Sequence, residues 1–345
     1  MSSIQEILNT TQLVLSRYIL PICLIMGIFG NVCNICIFIQ KKLRVNACSI
    51  YFLAASSVNL LIIIFGIIPT ISASYIADPS LYLTWACKLK LYGLHSLLMM
   101  SRVYIALACI DQYFFCSANP RLRQFSGRKV ALIAVPIVPV AWLVIPIHML
   151  IFVDVQIPYV KCGTSGVYSL VYSIYSFVCS SIPLILMIIF SALAFYNLRK
   201  LNQRVVPAAN TQSSVATTRI KKYDYQIMVM LIFEVVIYLI SNVLHPTNTL
   251  YMTLTAVPKG SPPKSALRLS IEGFVTYLTW GFLIYINSCL TFYINFCVSK
   301  VFRSRFYYLC IFIFNWCKYG QRGQLQNRVH PMDVSATVKF TRAQQ

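Results

Sequence analysis

Seven long apolar runs, separated by short polar or basic stretches, restrict this chain to very few folds. They fall at 13–39, 47–68, a third opening at Trp85 and closing at Tyr113, then 129–153, 168–198, 219–244 and 271–298. A helix needs about 20 apolar residues to cross a bilayer core. In lipid an unpaired backbone group costs several kcal/mol, which leaves helices and closed barrels as the only spanning forms. Barrel strands would alternate in polarity over segments of about 10 residues, and these runs are too long and continuous for that. With 58% hydrophobic and 11% charged residues, the chain would precipitate as a soluble domain. The expected fold is an all-α membrane protein, a seven-transmembrane helix bundle. Residues 1–12, MSSIQEILNTTQ, are polar, so the first run reads as a full span rather than a cleaved signal peptide.

The net charge of +21 invites a nucleic-acid reading, but its distribution argues against one. Twenty-one Lys and Arg fall in the segments after the odd-numbered spans: Lys41, Lys42 and Arg44, then Arg121 to Lys129, then Arg199 to Lys222, then Lys300 to Arg342. Seven fall on the opposite side: Arg17, Lys88, Lys90, Lys161, Lys259, Lys264 and Arg268. The positive-inside rule then places the amino terminus outside and the carboxyl terminus in the cytoplasm of a multi-pass plasma-membrane protein. The basic excess is accounted for by topology and attraction to anionic lipid, with no nucleic acid as partner.

The third run closes on Asp111-Gln112-Tyr113, with Pro120 shortly after. This resembles the rhodopsin-like (class A) G-protein-coupled receptors, whose third helix ends in Asp-Arg-Tyr, with Gln112 here replacing the arginine. Other elements support the resemblance in order along the chain. Gly30-Asn31 is a pair that the family places in its first helix, and Asn59 stands where the family has the Asp that helps hold a sodium ion. Weak or absent sodium sensitivity follows, because an amide keeps hydrogen bonds but gives up the charge. Cys87 precedes Gln112 by 25 residues, the family's interval between its disulfide cysteine and its motif arginine. Of thirteen cysteines only Cys87 and Cys162 fall in segments expected outside, where thiols oxidise. The resemblance implies that they form a bridge between the top of the third helix and the loop after the fourth.

Trp142 and Pro146 in the fourth run and Pro183 in the fifth also resemble the family. Pro69 is expected to kink or end the second helix. The family's Cys-Trp-x-Pro in the sixth helix is missing, because Phe233-Glu234-Val235-Val236-Ile237-Tyr238 runs without a proline until Pro246. In the seventh, Asn287-Ser288 and the segment to Phe302-Arg303 resemble Asn-Pro-x-x-Tyr and the start of a short amphipathic helix. Aligned on Phe302-Arg303, Thr291, Phe292 and Asn295 take the Asn, Pro and Tyr places. This variant is similar to invertebrate neuropeptide receptors of the FMRFamide type. Residues 299–317 are expected to lie on the inner leaflet, with Cys310 and Cys317 as palmitoylation candidates or plain buried thiols. Residues 318–345 are the cytoplasmic tail.

The resemblance covers about residues 13 to 317 and implies a receptor domain at 13–298. By the same resemblance it is expected to pass an extracellular signal to heterotrimeric G proteins, with Asp111, Gln112, Tyr113, Thr291, Phe292 and Asn295 at the coupling end. Gln112 cannot form the family's resting ion pair with an acid on the sixth helix, so elevated basal signalling or weak coupling is expected.

An intramembrane polar network is expected from Asn31, Asn59, Ser101, Arg102, Glu234, Asn287 and Ser288, since polar side chains in lipid bond across helices. Arg102 lies about 15 Å outward of Gln112 at the helical rise, near mid-membrane, where a lone charge costs at least roughly 2.5 to 3.5 kcal/mol. Glu234 is the candidate partner for an ion pair; water or backbone carbonyls are the alternative. Candidate ligand contacts are Leu94, His95, Tyr172 and Tyr175. Leu94 stands where amine receptors carry an Asp, and His95 fits a packed core histidine at least as well. Tyr168, Tyr172 and Tyr175 form an aromatic face that suits a pocket wall or, more ordinarily, the interfacial belt. The outer side carries seven basic and four acidic residues, which mildly favours a ligand with a carboxylate. A peptide is expected, by resemblance.

Asn9-Thr10-Thr11 is the one glycosylation sequon, usable if outside. The loop at 199–218 is polar and expected to be mobile. No cofactor or metal is expected, and the four histidines, at 95, 148, 245 and 330, lack ligand spacing. Without paired acids or a His cluster in the spans, an enzyme is not expected. The competing readings are a seven-helix chemoreceptor that does not use G proteins and, more distantly, a small transporter, for which the matched broken helices of internal repeats are missing.

Overall fold

The computed structural model describes residues 3–41, 43–156, 161–203, 212–256, 262 and 264–329. Seven helices are each long and apolar enough to cross a membrane: α1 (Ile4–Phe38), α2 (Ala47–Ser72), α3 (Thr84–Phe115), α4 (Arg128–Phe152), α5 (Gly166–Lys200), α6 (Tyr225–Leu254) and α7 (Ala266–Val298). An eighth helix, α8 (Lys300–Val329), follows. The only strands among the described residues, β1 (Asp154–Gln156) and β2 (Lys161–Gly163), form an antiparallel hairpin with Val155 opposite Cys162. The all-α seven-helix bundle expected from the apolar runs is the fold observed.

The helices bury one face and expose another in the pattern expected of lipid-facing staves. On α4, Ile133, Ile137, Val140 and Val144 are all exposed at spacings of four and three, one continuous apolar stripe. Such a stripe suits hydrocarbon and would be a liability in water. α3 is the most buried of the seven and α4 the least, so α3 runs through the centre. Close approach between α1 and α7 depends on Gly30, where a Cβ would sit 2.8 Å from that of Phe292.

Prolines accompany several of the local irregularities, although the wide turn at Tyr277–Leu283 in α7 has none. In α1 a wide π-turn at Leu15–Ile19 precedes Pro21, and in α2 another at Ile63–Ile67 precedes Pro69. A proline supplies no N–H, and a wide turn re-spaces the carbonyls it strands. The second helix therefore bends and continues to Ser72 instead of ending at Pro69. Pro246 acts in the same way on α6, where the regular helix stops at Asn242 and resumes at Leu244. Asn242 is four residues before the proline, where the lost bond would have been accepted.

Several expected boundaries move. Among the described residues helix begins at Ser3, within the polar segment, and Asn9 lies exposed on the first turns of α1. The reason is an amphipathic pattern: Ser3–Val14 alternates polar and apolar residues at helical spacing, and Thr11 bonds back to the Ile7 carbonyl at 2.8 Å. The fifth helix continues to Gln203 and the sixth resumes at Gln212. What remains of the loop expected to be mobile, 204–211, lies outside the described residues. The helix after α7 runs well past 317. It packs Phe302, Phe306 and Leu309 on the bundle and exposes Tyr307, Tyr308, Ile311 and Phe312. Cys310 is exposed, whereas the side chain of Cys317 lies outside the described ones.

Candidate functional site

A disulfide joins Cys87, in the first turn of α3, to Cys162 on β2, with Cα atoms 5.5 Å apart. It packs with Met149 and Val153 under the hairpin. Beside it opens a cavity of about 320 Å³ between the hairpin, α5, α6 and α7. Tyr172, Ser173, Asn248, Thr253, His245 and Trp280 line it. The His245 and Trp280 rings lie 4.4 Å apart, and the buried Nδ1 of His245 has no hydrogen-bond partner. Ser173 and Thr253 share a 2.6 Å hydroxyl bond, and Asn248 Nδ2 donates to Thr276 Oγ1 at 3.1 Å.

Of the four expected ligand contacts, only Tyr172 lines this cavity. Leu94 is packed with Leu20, Ile62 and Ile284 in an apolar cluster. His95 is buried and bonds Tyr175 Oη at 3.2 Å, and the edge of His148 meets the Tyr175 ring at 4.7 Å. Tyr168, Tyr172 and Tyr175 are half-buried, and Tyr168 bonds His148 Nδ1 at 2.6 Å. These tyrosines face α3 and α4 rather than forming a lipid-side belt, because two histidines across the interface offer their hydroxyls partners that lipid cannot.

The expected excess of positive charge at this end does not reach the cavity through the described residues. Lys90 pairs with Asp78. Lys264 and Arg268 both pair with Glu272, at 2.7 and 2.9 Å. Arg17 donates to the Ser74 carbonyl, Nε at 3.1 Å, and lies over the Tyr75 ring. Burial alone would raise the Asp78 carboxyl, but the bonds from Lys90 and Ser80 outweigh it and hold it below the usual carboxylate range. Asp154 is also held low, by hydrogen bonds from Thr84 and its neighbouring amide.

Deeper in the bundle, four of the expected network residues come together. Asn31 Nδ2 donates to the Ser288 carbonyl and to the Gly27 carbonyl, each at 2.8 Å. Asn59 Oδ1 accepts from Ser101 Oγ at 2.6 Å and from Ser288 Oγ at 3.2 Å. One knot thus joins α1, α2, α3 and α7. Asn287 stands one residue away, with its carbonyl accepting from Thr291 Oγ1 at 2.9 Å and its own Oδ1 unpartnered.

The Arg102–Glu234 ion pair is not formed. Arg102 donates from Nη1 to Ser180 Oγ at 2.9 Å and from Nη2 to Asn242 Oδ1 at 3.2 Å, and its guanidinium lies over the Tyr238 ring at 5.3 Å. The level of α6 that faces Arg102 is that of Asn242, eight residues from Glu234 and about 12 Å further along the axis. Glu234 is 1% exposed and lies beside the Asn295 amide without a hydrogen bond, and both its carboxylate oxygens are unpartnered.

At the opposite, basic end the described side chains pack against one another. Asp111 accepts from Ser126 Oγ at 2.9 Å. Gln112 is buried and reaches Cys116 Sγ at 3.7 Å, and Tyr113 packs on Phe190. Phe292 sits among Phe29, Phe296, Phe302 and Phe306. Gln226, near the basic end of α6, accepts at Oε1 from the Val301 amide at 2.8 Å and from Ser299 Oγ at 3.1 Å, so it caps α8. Under this latch the space bounded by Phe38, Phe52, Met230 and Phe302 is only about 20 Å³, little more than a water needs. Neither the Gln226 latch nor the His245–Trp280 pair was singled out from sequence. The available signal for His245 was its place next to Pro246; Gln226 carried none. Among the described residues no group of His, Cys, Asp or Glu has the arrangement of a metal site.

No protein-family model matches the chain, and no curated protein matches its sequence.

Proposed function

We propose that this chain is a rhodopsin-like receptor of the plasma membrane, not an enzyme, with its amino terminus outside and its carboxyl terminus in the cytoplasm. An extracellular ligand, a peptide by the resemblance to neuropeptide receptors, enters beside the disulfide. Binding shifts α6 and opens the basic end to a heterotrimeric G protein. The single observation that carries this reading is the asymmetry of the two ends: an open cavity beside a fastened hairpin at one, and packed side chains with α6 tied to α8 through Gln226 at the other. α3 and α6 run between them, so a ligand that prefers one arrangement of α6 has a rigid route to the other end. Such a shift requires different affinities for the two arrangements.

The test is guanine-nucleotide exchange on purified heterotrimeric G proteins by the full chain in lipid, with and without a peptide library. Exchange that rises with a peptide supports the proposal. Absence of exchange with every G-protein class, together with saturable binding of a library member, would favour the second reading. That reading, a seven-helix chemoreceptor that does not use G proteins, is favoured by Gln112, which stands in place of the family's arginine and is turned toward Cys116.

A further inference from the structure

The cavity beside the disulfide is polar, but it is not charged. No Asp, Glu, Lys or Arg stands among the described residues that line it. Its polar atoms are hydroxyls and amides, from Thr249, Thr253, Thr276, Ser173, Asn248 and Gln156. Of the basic side chains described at this end, Lys90 is held by Asp78, and Lys264 and Arg268 by Glu272. A charged group entering here would lose its water without gaining a counter-ion, which is strongly unfavourable in a partly enclosed site.

One wall of the cavity differs from the rest. The Trp280 indole and His245 imidazole lie against each other at 36°, presenting aromatic surface, and His245 Nδ1 is buried with no partner. The ring lines the cavity while its Nδ1 is turned away from it, so what this wall offers a ligand is the aromatic surface of the two rings. Hydroxyls and amides accept and donate equally, so they suit a group that does both.

We infer that the part of the ligand seated in this cavity is uncharged, carries an aromatic or apolar ring that rests on Trp280, and bears a neutral group that hydrogen-bonds to the surrounding hydroxyls and amides. This rests on the proposed entry of ligand at the disulfide end. It departs from the carboxylate preference read from the summed charge, because Lys90, Lys264 and Arg268 are each paired with an acid and do not line the cavity.

The test uses the purified full chain in lipid nanodiscs and three ring compounds of nearly equal shape: 4-fluorobenzamide, 4-fluorobenzoate and 4-fluorobenzylamine. Binding is followed by fluorine NMR. The amide is expected to bind at least about tenfold more tightly than the acid or the amine, a difference of about 1.4 kcal/mol. Trp280→Phe should weaken amide binding severalfold. Ala256→Trp, placed at an exposed rim position to fill the mouth, should abolish it. Ala256→Trp is expected to fold, and the far-ultraviolet dichroism of both variants checks this. Equal or tighter binding of the acid or the amine overturns the inference. So does amide binding that Ala256→Trp leaves unchanged, or none up to about 10 mM, the weakest a fragment of this size with ordinary contacts should show. No G protein is present, so a failure here is separate from a failure of nucleotide exchange.

Discussion

Arg102 and Glu234 lie inside one bundle about two turns of α6 apart, and their surroundings are opposite. Around Arg102, α5 and α6 supply Ser180, Asn242 and the face of Tyr238, and only Nε lacks a partner. Around Glu234 the polar neighbour is the Asn295 amide, and both carboxylate oxygens and both polar atoms of that amide are buried outside hydrogen-bonding geometry. An unmade bond on a buried group costs about 1–3 kcal/mol. The half of α6 toward the disulfide is therefore tied to α3 and α5 by polar contacts, while the half toward the basic end carries strain that a different packing could relieve. What holds that second half in place is apolar packing and, at its tip, Gln226. If α6 moves, as the proposed function requires, this division marks which part moves and which part anchors.

The largest expected effect comes from stripping the anchored half. Ser180→Ala with Asn242→Ala leaves the Arg102 guanidinium with no oxygen acceptor from α5 or α6. Hydrogen bonds to charged groups contribute about 1.5–3 kcal/mol each, so the pair should destabilise the protein by about 3 kcal/mol or more. Thermal unfolding in nanodiscs reads this directly. A double variant as stable as the parent would mean that Arg102 is satisfied by something else and that the contrast between the two halves is not real.

Glu234→Met should do the reverse. Replacing an unmatched buried ionisable group by an apolar one of similar volume is often neutral or stabilising by about 1–4 kcal/mol. Unfolding at an unchanged or higher temperature is the expected result. Loss of stability comparable to that of the Ser180 and Asn242 pair would show that the carboxylate has a partner. Gln226→Ala should have a smaller effect, about 1 kcal/mol for the bonds to Val301 and Ser299. Its signature is local: faster hydrogen exchange at the Val301 amide, with the Arg102 level unaffected. Slow exchange at Val301 in the variant would remove Gln226 as the latch.

How much of this was legible beforehand depended on resemblance and on rarity. Asn31, Asn59 and Ser288 stood out because they fall at positions that resemble the receptor family's motifs, and Ser101 because it precedes Arg102; the structure brings those four into one knot. Cys87 and Cys162 were legible because no other cysteine falls outside the apolar runs and basic segments. Arg102 was equally conspicuous, but its partners were not. Serine and asparagine are common in the runs, so the search went to the one other buried charge, Glu234. The register that separates them is set by the break at Asn242, which Pro246 dictates and which a reading of span boundaries does not resolve. The cavity was invisible for another reason. Its walls are ordinary threonines and serines from α5, α6 and α7, and only tertiary packing makes them face one another. His95 and Leu94, chosen by their distance from Cys87, turn instead into the packed interior.

The smallest effect concerns the rim, where the contrast between matched and unmatched charge can be tuned by pH. Asp78 is held below the ordinary carboxylate range by Lys90 and by Ser80. A carboxyl whose value is lower in the folded than in the unfolded chain contributes stability that is present above the unfolded value, about 3.9, and is lost as pH falls through the folded one. Asp78→Asn should therefore lower the unfolding temperature slightly at neutral pH, and the gap from the parent should close as the pH is taken below about 4. Glu234 offers no matching contribution through a partner, so Glu234→Met should not reproduce that closing gap. A gap that stays constant from neutral to acid would mean that Asp78 acts through the Ser80 turn alone, and the Lys90 pair would then drop out of the account of why the outer charge does not face the cavity.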